Sequence, residues 1–409
     1  MSRKVVKRNK QKLEMKILDG NQAAALGAKL SRVQVIAAYP ITPQTPVTES
    51  LSEFVERGEL KAEYVAVESE HSALAVCASA SMVGARTFTA TSSHGLAYMH
   101  EMLHWTAGAR LPVVLACVNR AIGAPWNILN DQQDSISQRD TGWVQIYARN
   151  NQEIIDSMIQ AYRIAEQVYV PVMVCYDGYL LSHAQMPVSV PKQNDVDGFL
   201  PPYRPHTILD PSDPKNYNLV TLANPRLNAE GVLCHGYMEI RQLLQEALQN
   251  SLKVIIDTGH EFGKIFSRSY DNYFWDDGIV GAETVIVAMG SLAMEATATA
   301  EMLRKESYKV GVLGIRVFRP FPKVAIIDAL KKAKNIVVFD KNISYGAEGA
   351  TCSEIKAALY GSGTKAMVKN FIVGLGGRDV KAKEMAIAVK QAIHSKLSTE
   401  PYPEWLSQI

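Results

Sequence analysis

The run EYVAVESEHSALAVCASASMVGARTFTATSSHGLAYMHEMLHWTAGARLPVVLACVN, residues 63–119, decides the fold. It reads as strand EYVAVES (63–69), helix HSALAVCASASMVG (71–84), strand TFTATS (87–92), helix LAYMHEMLHWTAGA (96–109) and strand PVVLACV (112–118). Continuous β-branched runs separated by helices predict a parallel sheet covered on both faces, an α/β fold. Upstream, VQVIAAY (33–39) is another strand, followed by the turn PITPQTP and a helix around TESLSEFVERG. Downstream, EIIDSMIQAYRIAEQ reads as a helix and VPVMVCY (170–176) as a strand. This pattern spans residues 17–185 and makes the first domain.

Between 186 and about 230 the pattern gives way to Pro, Asp and Asn, which predicts a connecting arm. A helix over 238–255 completes the segment 186–258. Strand–helix alternation resumes at TVIVAMG and continues through YKVGVLGIRVF and NIVVFDKN, so 259–409 is a second, smaller α/β domain. Residues 1–16 form a basic tail with seven Lys and Arg, read as a solvated end. No apolar segment follows that tail as in a signal peptide, and no run of about 18 apolar residues occurs. The net charge of +2 creates no field that points to nucleic acid. The five cysteines, Cys77, Cys117, Cys175, Cys234 and Cys352, are scattered with no CxxC pair. That usage fits a reducing cytoplasm and offers no local metal or iron–sulfur motif.

Ligands of open parallel sheets gather beyond the carboxyl ends of the strands. Here that rule selects 39–46, 68–71, 91–95 and 119–134. Glu70 stands where a strand ends and an apolar helix begins; it either caps that helix or serves as a positioned acid–base group. Glu68 competes for the same role, on the opposite face if the strand persists. Arg120 follows a strand, where a guanidinium suits bidentate binding of a carboxylate or an ion pair with Asp131 or Asp134. Thr42 lies between Pro40 and Pro43, a hydroxyl on a rigid loop or a plain turn. The polar stretch DQQDSISQRDTGW (131–143) is either an active-site or partner-facing loop or a solvated one. HEMLH (100–104) spells His-Glu-x-x-His, but no third ligand is evident, so a metalloprotease is disfavoured. GLGGRD (374–379) ends a strand yet breaks the dinucleotide fingerprint at Asp379.

Six ordered motifs carry a resemblance. GNQAAALGA (20–28), AYPITPQTPVTE (38–49), VESEHSA (67–73), TATSSHGL (89–96), NRAIGAPWNI (119–128) and DQQDSISQRDTGW resemble the pyrimidine-binding domain of 2-oxoacid:ferredoxin oxidoreductases. GHEFGKIFSRSY, IRVFRPFP, DKNISYGAEGA and VGLGGRD are similar to that family's transketolase-C-like domain. The resemblance implies a doubly wound, pyrimidine-type domain that binds thiamine diphosphate, followed by the smaller domain. It implies Glu70 on N1′ of the cofactor's aminopyrimidine, and Thr42 and Arg120 on the 2-oxoacid. Pro40, Ser92 and Ser93 would line the cofactor beside Glu70. The APWNI…DQQDSISQRDTGW stretch looks like the pyruvate branch. Relatives acting on oxalate place an arginine at the position of Thr42. His94 departs from the family, which more often has Gln.

The same resemblance implies partners. The family's GDG…Asn motif for diphosphate and Mg²⁺ is absent, since YDGYL (176–180) does not match it, and so are the ferredoxin-like cysteines. This chain then resembles an α subunit. A β subunit would bring the diphosphate and Mg²⁺ site, and γ and δ subunits the [4Fe-4S] clusters, with pyruvate, CoA and ferredoxin as reactants. The rival readings are another 2-oxoacid, a non-catalytic assembly subunit, and a nucleotide-binding oxidoreductase.

Overall fold

The computed structural model describes residues 14–204, 226–227, 233–234, 236–395 and 402–406. Most of the basic tail and much of the Pro-rich arm, with the side chain of Cys234, lie outside the described residues.

A short ribbon opens the first domain: β1 (Glu14–Leu18) pairs antiparallel with β8 (Met186–Val190). Helix α1 (Gly20–Leu30) starts on a capping box in which Asp19 and Gln22 satisfy each other's backbone donors. Then follow β2 (Val35–Ala38), α2 (Thr45–Glu56), β3 (Glu63–Ala66), α3 (Glu70–Met82) and β4 (Thr87–Thr91). After them come α4 (Ser93–Tyr98), α5 (His100–Gly108), β5 (Val114–Asn119), α6 (Gln133–Ile136), β6 (Val144–Tyr147), α7 (Asn151–Val168) and β7 (Val172–Asp177). Every residue of β4, β5 and β7 is buried, because helices cover both faces of these strands. Helix α3 turns Ala73, Leu74, Cys77 and Ala78 inward at three- and four-residue spacing, and its small side chains let it lie close on the sheet.

The first sheet has the order β14-β6-β7-β5-β4-β2-β3, where β14 is Val317–Arg319, from later in the chain. From β2 the chain moves outward to β3, and from β4 it moves the opposite way to β5. The crevice between the carboxyl ends of β2 and β4 is therefore a topological switch point, where open α/β sheets bind ligands.

The arm supplies α8 (Gln193–Phe199), the small pair β9 (Arg226–Leu227) and β10 (Leu233–Cys234), and the long helix α9 (Tyr237–Phe266). Helix α9 runs eleven residues beyond the 238–255 expected, since GHEFGKIF continues its apolar face and buries Phe262 and Phe266. The second sheet, β11-β13-β12-β15-β16-β17, comprises β11 (Phe274–Asp277), β12 (Thr284–Met289), β13 (Val310–Ile315), β15 (Asn335–Asp340), β16 (Met367–Ile372) and β17 (Glu404–Trp405). Only β11 pairs antiparallel. Helices α10 (Leu292–Lys305), α11 (Lys323–Leu330), α12 (Ala350–Leu359) and α13 (Ala382–His394) cover it.

YKVGVLGIRVF, expected as one strand, is two. At buried Arg316 the chain leaves the second sheet, and β14 (Val317–Arg319) pairs antiparallel with β6 of the first. One strand thus stitches the domains, and one contiguous apolar cluster runs through both, from Ala23 to Leu359.

Candidate active site

Ser69, in extended conformation, is the N-cap of α3: its hydroxyl accepts the backbone N–H of Ser72 at 3.2 Å. The Ser72 hydroxyl donates to Glu68 at 2.5 Å, which holds that exposed carboxyl below its ordinary range. Capping is therefore done by Ser69, and Glu68 is occupied at the surface. Glu70, in the first turn of α3, is 8% exposed and favoured there by the helix dipole. Its carboxylate faces the turn after β4. A β-carbon added at Gly95 would stand 2.6 Å from Glu70 Oε1 and 2.5 Å from Thr91 Oγ1. Thr91 Oγ1 is buried without a hydrogen-bond partner, and among the described residues no hydrogen bond or ion pair engages the Glu70 carboxylate.

Arg120 leaves the end of β5 and is 2% exposed. Its Nη1 donates to the Thr42 carbonyl at 2.7 Å and its Nε to the Asn127 carbonyl at 3.2 Å, while buried Nη2 has no partner. The indole of Trp126 lies over the guanidinium, 4.9 Å from ring centre to Cζ. Burial lowers the pKa of Arg120, but a guanidinium stays charged. Neither Asp131 nor Asp134 pairs with it. Asp134 takes the backbone N–H of Arg120 instead, at 3.0 Å, and Asp131 takes those of Gln133 and Gly376.

Thr42 and Pro40 are exposed on the loop after β2. Thr42 meets Arg120 through its carbonyl, which leaves its hydroxyl unused by that contact. The loop is fixed from below: Asn21 Nδ2 donates to the Pro43 carbonyl at 2.8 Å, and Ile41 N–H donates to Gln44 Oε1 at 3.2 Å. Ser92 and Ser93 are fully buried, and both hydroxyls are committed to backbone carbonyls. Ser92 donates to Val118 at 2.7 Å and Ser93 to Ala121 at 2.5 Å. They tie the β4 turn to the β5 loop, and Gly95 two residues on closes against Glu70. His94 belongs to the same turn. Its Nε2 accepts the Gly123 N–H at 3.1 Å, and its ring stacks on Trp126 at 5.1 Å with planes 7° apart.

Asp134 is the residue sequence reasoning missed in this role. It is fully buried, and its Oδ2 accepts the backbone N–H groups of Ser93 (2.9 Å) and Arg120. Its Oδ1 accepts from Asn119 Nδ2 (2.7 Å) and Ser135 N (2.8 Å). One carboxyl therefore holds the β4 turn and the β5 loop together. Burial pushes its pKa up to about 7, against the pull of the hydrogen bonds from Asn119, Arg120 and Ser93. The signal was the polar density of 131–143, whose members are mostly buried and bonded rather than solvated. His100 and His104 sit edge to face at 4.9 Å, and among the described residues no group of three or more His, Cys, Asp or Glu side chains could hold a metal ion.

A buried carboxylate and a buried guanidinium arm thus stand unengaged at a topological switch point, in a chain whose two α/β layers suit the thiamine-diphosphate-binding type of fold. Residues 26–249 match the family model described as pyruvate flavodoxin/ferredoxin oxidoreductase, thiamine diphosphate-binding, and residues 282–385 match pyruvate:ferredoxin oxidoreductase core domain II. The chain belongs to the 2-oxoacid:ferredoxin oxidoreductase family. Among curated relatives, pyruvate synthase subunit PorA of Methanocaldococcus jannaschii is 49% identical over 91% of this chain and 93% of its own. Ketoisovalerate oxidoreductase subunit VorA of Pyrococcus abyssi is 46% identical over 95% and 97%. Among solved structures, 2-oxoglutarate:ferredoxin oxidoreductase from Magnetococcus marinus superposes with a TM-score of 0.73 at 20% identity, over 93% of this chain and 66% of that one. That likeness extends the agreement to the fold of both domains.

Proposed function

We propose that this chain is the α subunit of a multi-subunit enzyme that decarboxylates pyruvate oxidatively, forming acetyl-CoA and CO₂ and passing two electrons to ferredoxin. The observation that carries the reading is the pair of buried, unengaged groups, Glu70 and Arg120 Nη2, at one switch point. They fit the cofactor and substrate by chemistry: a carboxylate for a ring nitrogen that must gain a proton, and a guanidinium for a carboxylate. Thiamine diphosphate, when bound, supplies the carbanion chemistry at the carbonyl carbon. Glu70 would hold the proton at N1′ of the aminopyrimidine, helped by the apolar wall of α3. The cradle at Gly95 gives that ring room to approach. Arg120 Nη2 and the Thr42 hydroxyl would hold the 2-oxoacid, and the Trp126–His94 stack would shield the guanidinium from water. Mg²⁺ and the diphosphate would be held by a β subunit, and the [4Fe-4S] clusters by γ and δ subunits.

Pyruvate is the substrate we favour because the APWNI…DQQDSISQRDTGW stretch resembles that branch and because Trp126 crowds the space beside Arg120. A second reading, ketoisovalerate, has the VorA relatives in its favour. The test is a substrate panel on the complex purified with its partner chains. Pyruvate should give the highest kcat/KM, and Arg120→Ala should cost on the order of 10²-fold in that ratio, the loss of a charge-assisted contact. A higher kcat/KM for ketoisovalerate would move the assignment to the second reading. Full activity of Arg120→Ala would remove Arg120 from it.

A further inference from the structure

The glycine-rich turn GLGGRD of the second domain supplies none of the groups assigned to that reaction, and its shape says what it does. Gly374, Gly376 and Gly377 have φ of 64°, 59° and 76°, the left-handed region that favours glycine. The N–H groups of Gly376 and Gly377 point at the first domain. Gly376 donates to Asp131 Oδ2 at 3.1 Å and Gly377 to the Asn130 carbonyl at 2.5 Å, while the Gly376 carbonyl accepts from Asn127 Nδ2 at 2.9 Å. A β-carbon at Gly376 would strike Asn127 Nδ2, and one at Gly377 would strike the Leu129 side chain. A turn of this kind elsewhere cradles phosphate. Here the donor at Gly376 is filled by the chain's own Asp131 carboxylate.

A second set of bonds grips the same loop. Lys341 Nζ donates to Asn130 Oδ1 at 3.0 Å, Gln132 N–H to the Lys341 carbonyl at 2.8 Å, and Ile343 N–H to Gln133 Oε1 at 3.0 Å. The gripped segment in turn holds Arg120. Asn127 offers its carbonyl to Arg120 Nε, Leu129 accepts the Ala121 N–H at 3.0 Å, and Asp134, one residue past Gln133, takes the Arg120 N–H.

We propose that the second domain is a clamp that sets the position of Arg120. Its glycine turn binds the loop 127–133 rather than a nucleotide, with Asn127, Asp131 and Gly376 as positioning residues. This inference rests on the reading of Arg120 as the oxoacid-binding residue.

The test uses Asn127→Asp in the complex with its partner chains. This change keeps the Oδ1 that accepts the Leu129 N–H at 2.8 Å but sets an oxygen against the Gly376 carbonyl. Asn127→Ala, which adds no repulsion, serves if the first variant assembles poorly. Amide hydrogen exchange should quicken over 121–133 and stay unchanged over α3. KM for pyruvate should rise about fivefold, the effect of one lost hydrogen bond, with thiamine diphosphate affinity unaltered. Unchanged exchange and unchanged KM in an assembled variant overturn the clamp. So does an equal loss of cofactor affinity, which would mark general damage. Arg120→Ala separates the two levels. If it leaves KM alone, the substrate reading fails, while the exchange over 121–133 still reports on the clamp.

Discussion

Glu70 is spared capping duty because Ser69, one residue earlier, performs it. The helix start then costs the carboxylate nothing, and the dipole of α3 favours its charge. What keeps the carboxylate approachable is the missing side chain at position 95. Gly95→Ala would press a methyl group onto Glu70 Oε1 and Thr91 Oγ1, both within 2.6 Å of the new carbon. Something must shift, and the carboxylate is the softer of the two. The expected outcome is an assembled complex whose turnover falls at least about tenfold, checked by steady-state kinetics beside native mass spectrometry. Wild-type turnover in Gly95→Ala would show that the cradle is not used. At this scale the strand-end rule selected the stretches that hold Glu70, Thr42 and Arg120, but it left Glu68 in competition with Glu70 and a plain turn or an ion pair open at the other two, and their roles came from the resemblance. The sequence was silent on the contacts each makes. That Thr42 meets Arg120 by its carbonyl, and that Ser92 and Ser93 spend their hydroxyls on backbone, depends on turn geometry that residue types do not encode.

The elements that matter most are the turn 92–95 and the loop 120–134, which lean on each other through Asp134. Its partners are all donors, so an amide in its place would set an NH₂ group against N–H groups. Burial raises its pKa to about 7, above the ordinary carboxyl value near 3.8. The folded chain therefore binds this proton more tightly than the unfolded chain. The stability gained from it is full below about pH 4 and is lost as pH rises toward 7. Asp134→Asn should be less stable than wild type throughout, and the difference between the two should narrow as pH rises from 4 to 7. Thermal unfolding of both across that range checks this, and a difference independent of pH would contradict it. Periodicity could not have found Asp134. Residues 131–143 are polar, and polar density alone leaves an active-site or partner-facing loop and a solvated one both open, with no sign of which carboxylate is buried.

At the scale of the molecule the two domains share one apolar cluster and one strand crossing. β14 belongs by sequence to the second domain and by pairing to the first sheet. The alternation of strands and helices made both α/β domains legible, but not this crossing, since a continuous apolar run gives no sign of where it changes sheets. Across the boundary, Lys341 Nζ lies 3.1 Å from Asp177 Oδ2, both buried, and Ser291 donates to the same carboxylate. Lys341→Met would leave the buried Asp177 carboxyl without its cation, at a cost of about 3–5 kcal/mol. The expected result is a lower Tm with the two domains unfolding less cooperatively, seen by calorimetry. An unchanged Tm would mean that the pair contributes nothing to holding the domains together. Among the described residues no helix is long and apolar enough to cross a membrane. Exposed Trp126, at 74%, stands over the Arg120 guanidinium.

If Glu70 controls the proton at N1′, the exchange of the bound cofactor's C2 proton with deuterium reports on it before any oxoacid is added. In the assembled complex, Glu70→Gln should slow that exchange about 10²- to 10⁴-fold with thiamine diphosphate still bound. Exchange at the wild-type rate in the loaded variant would mean that Glu70 does not control that proton.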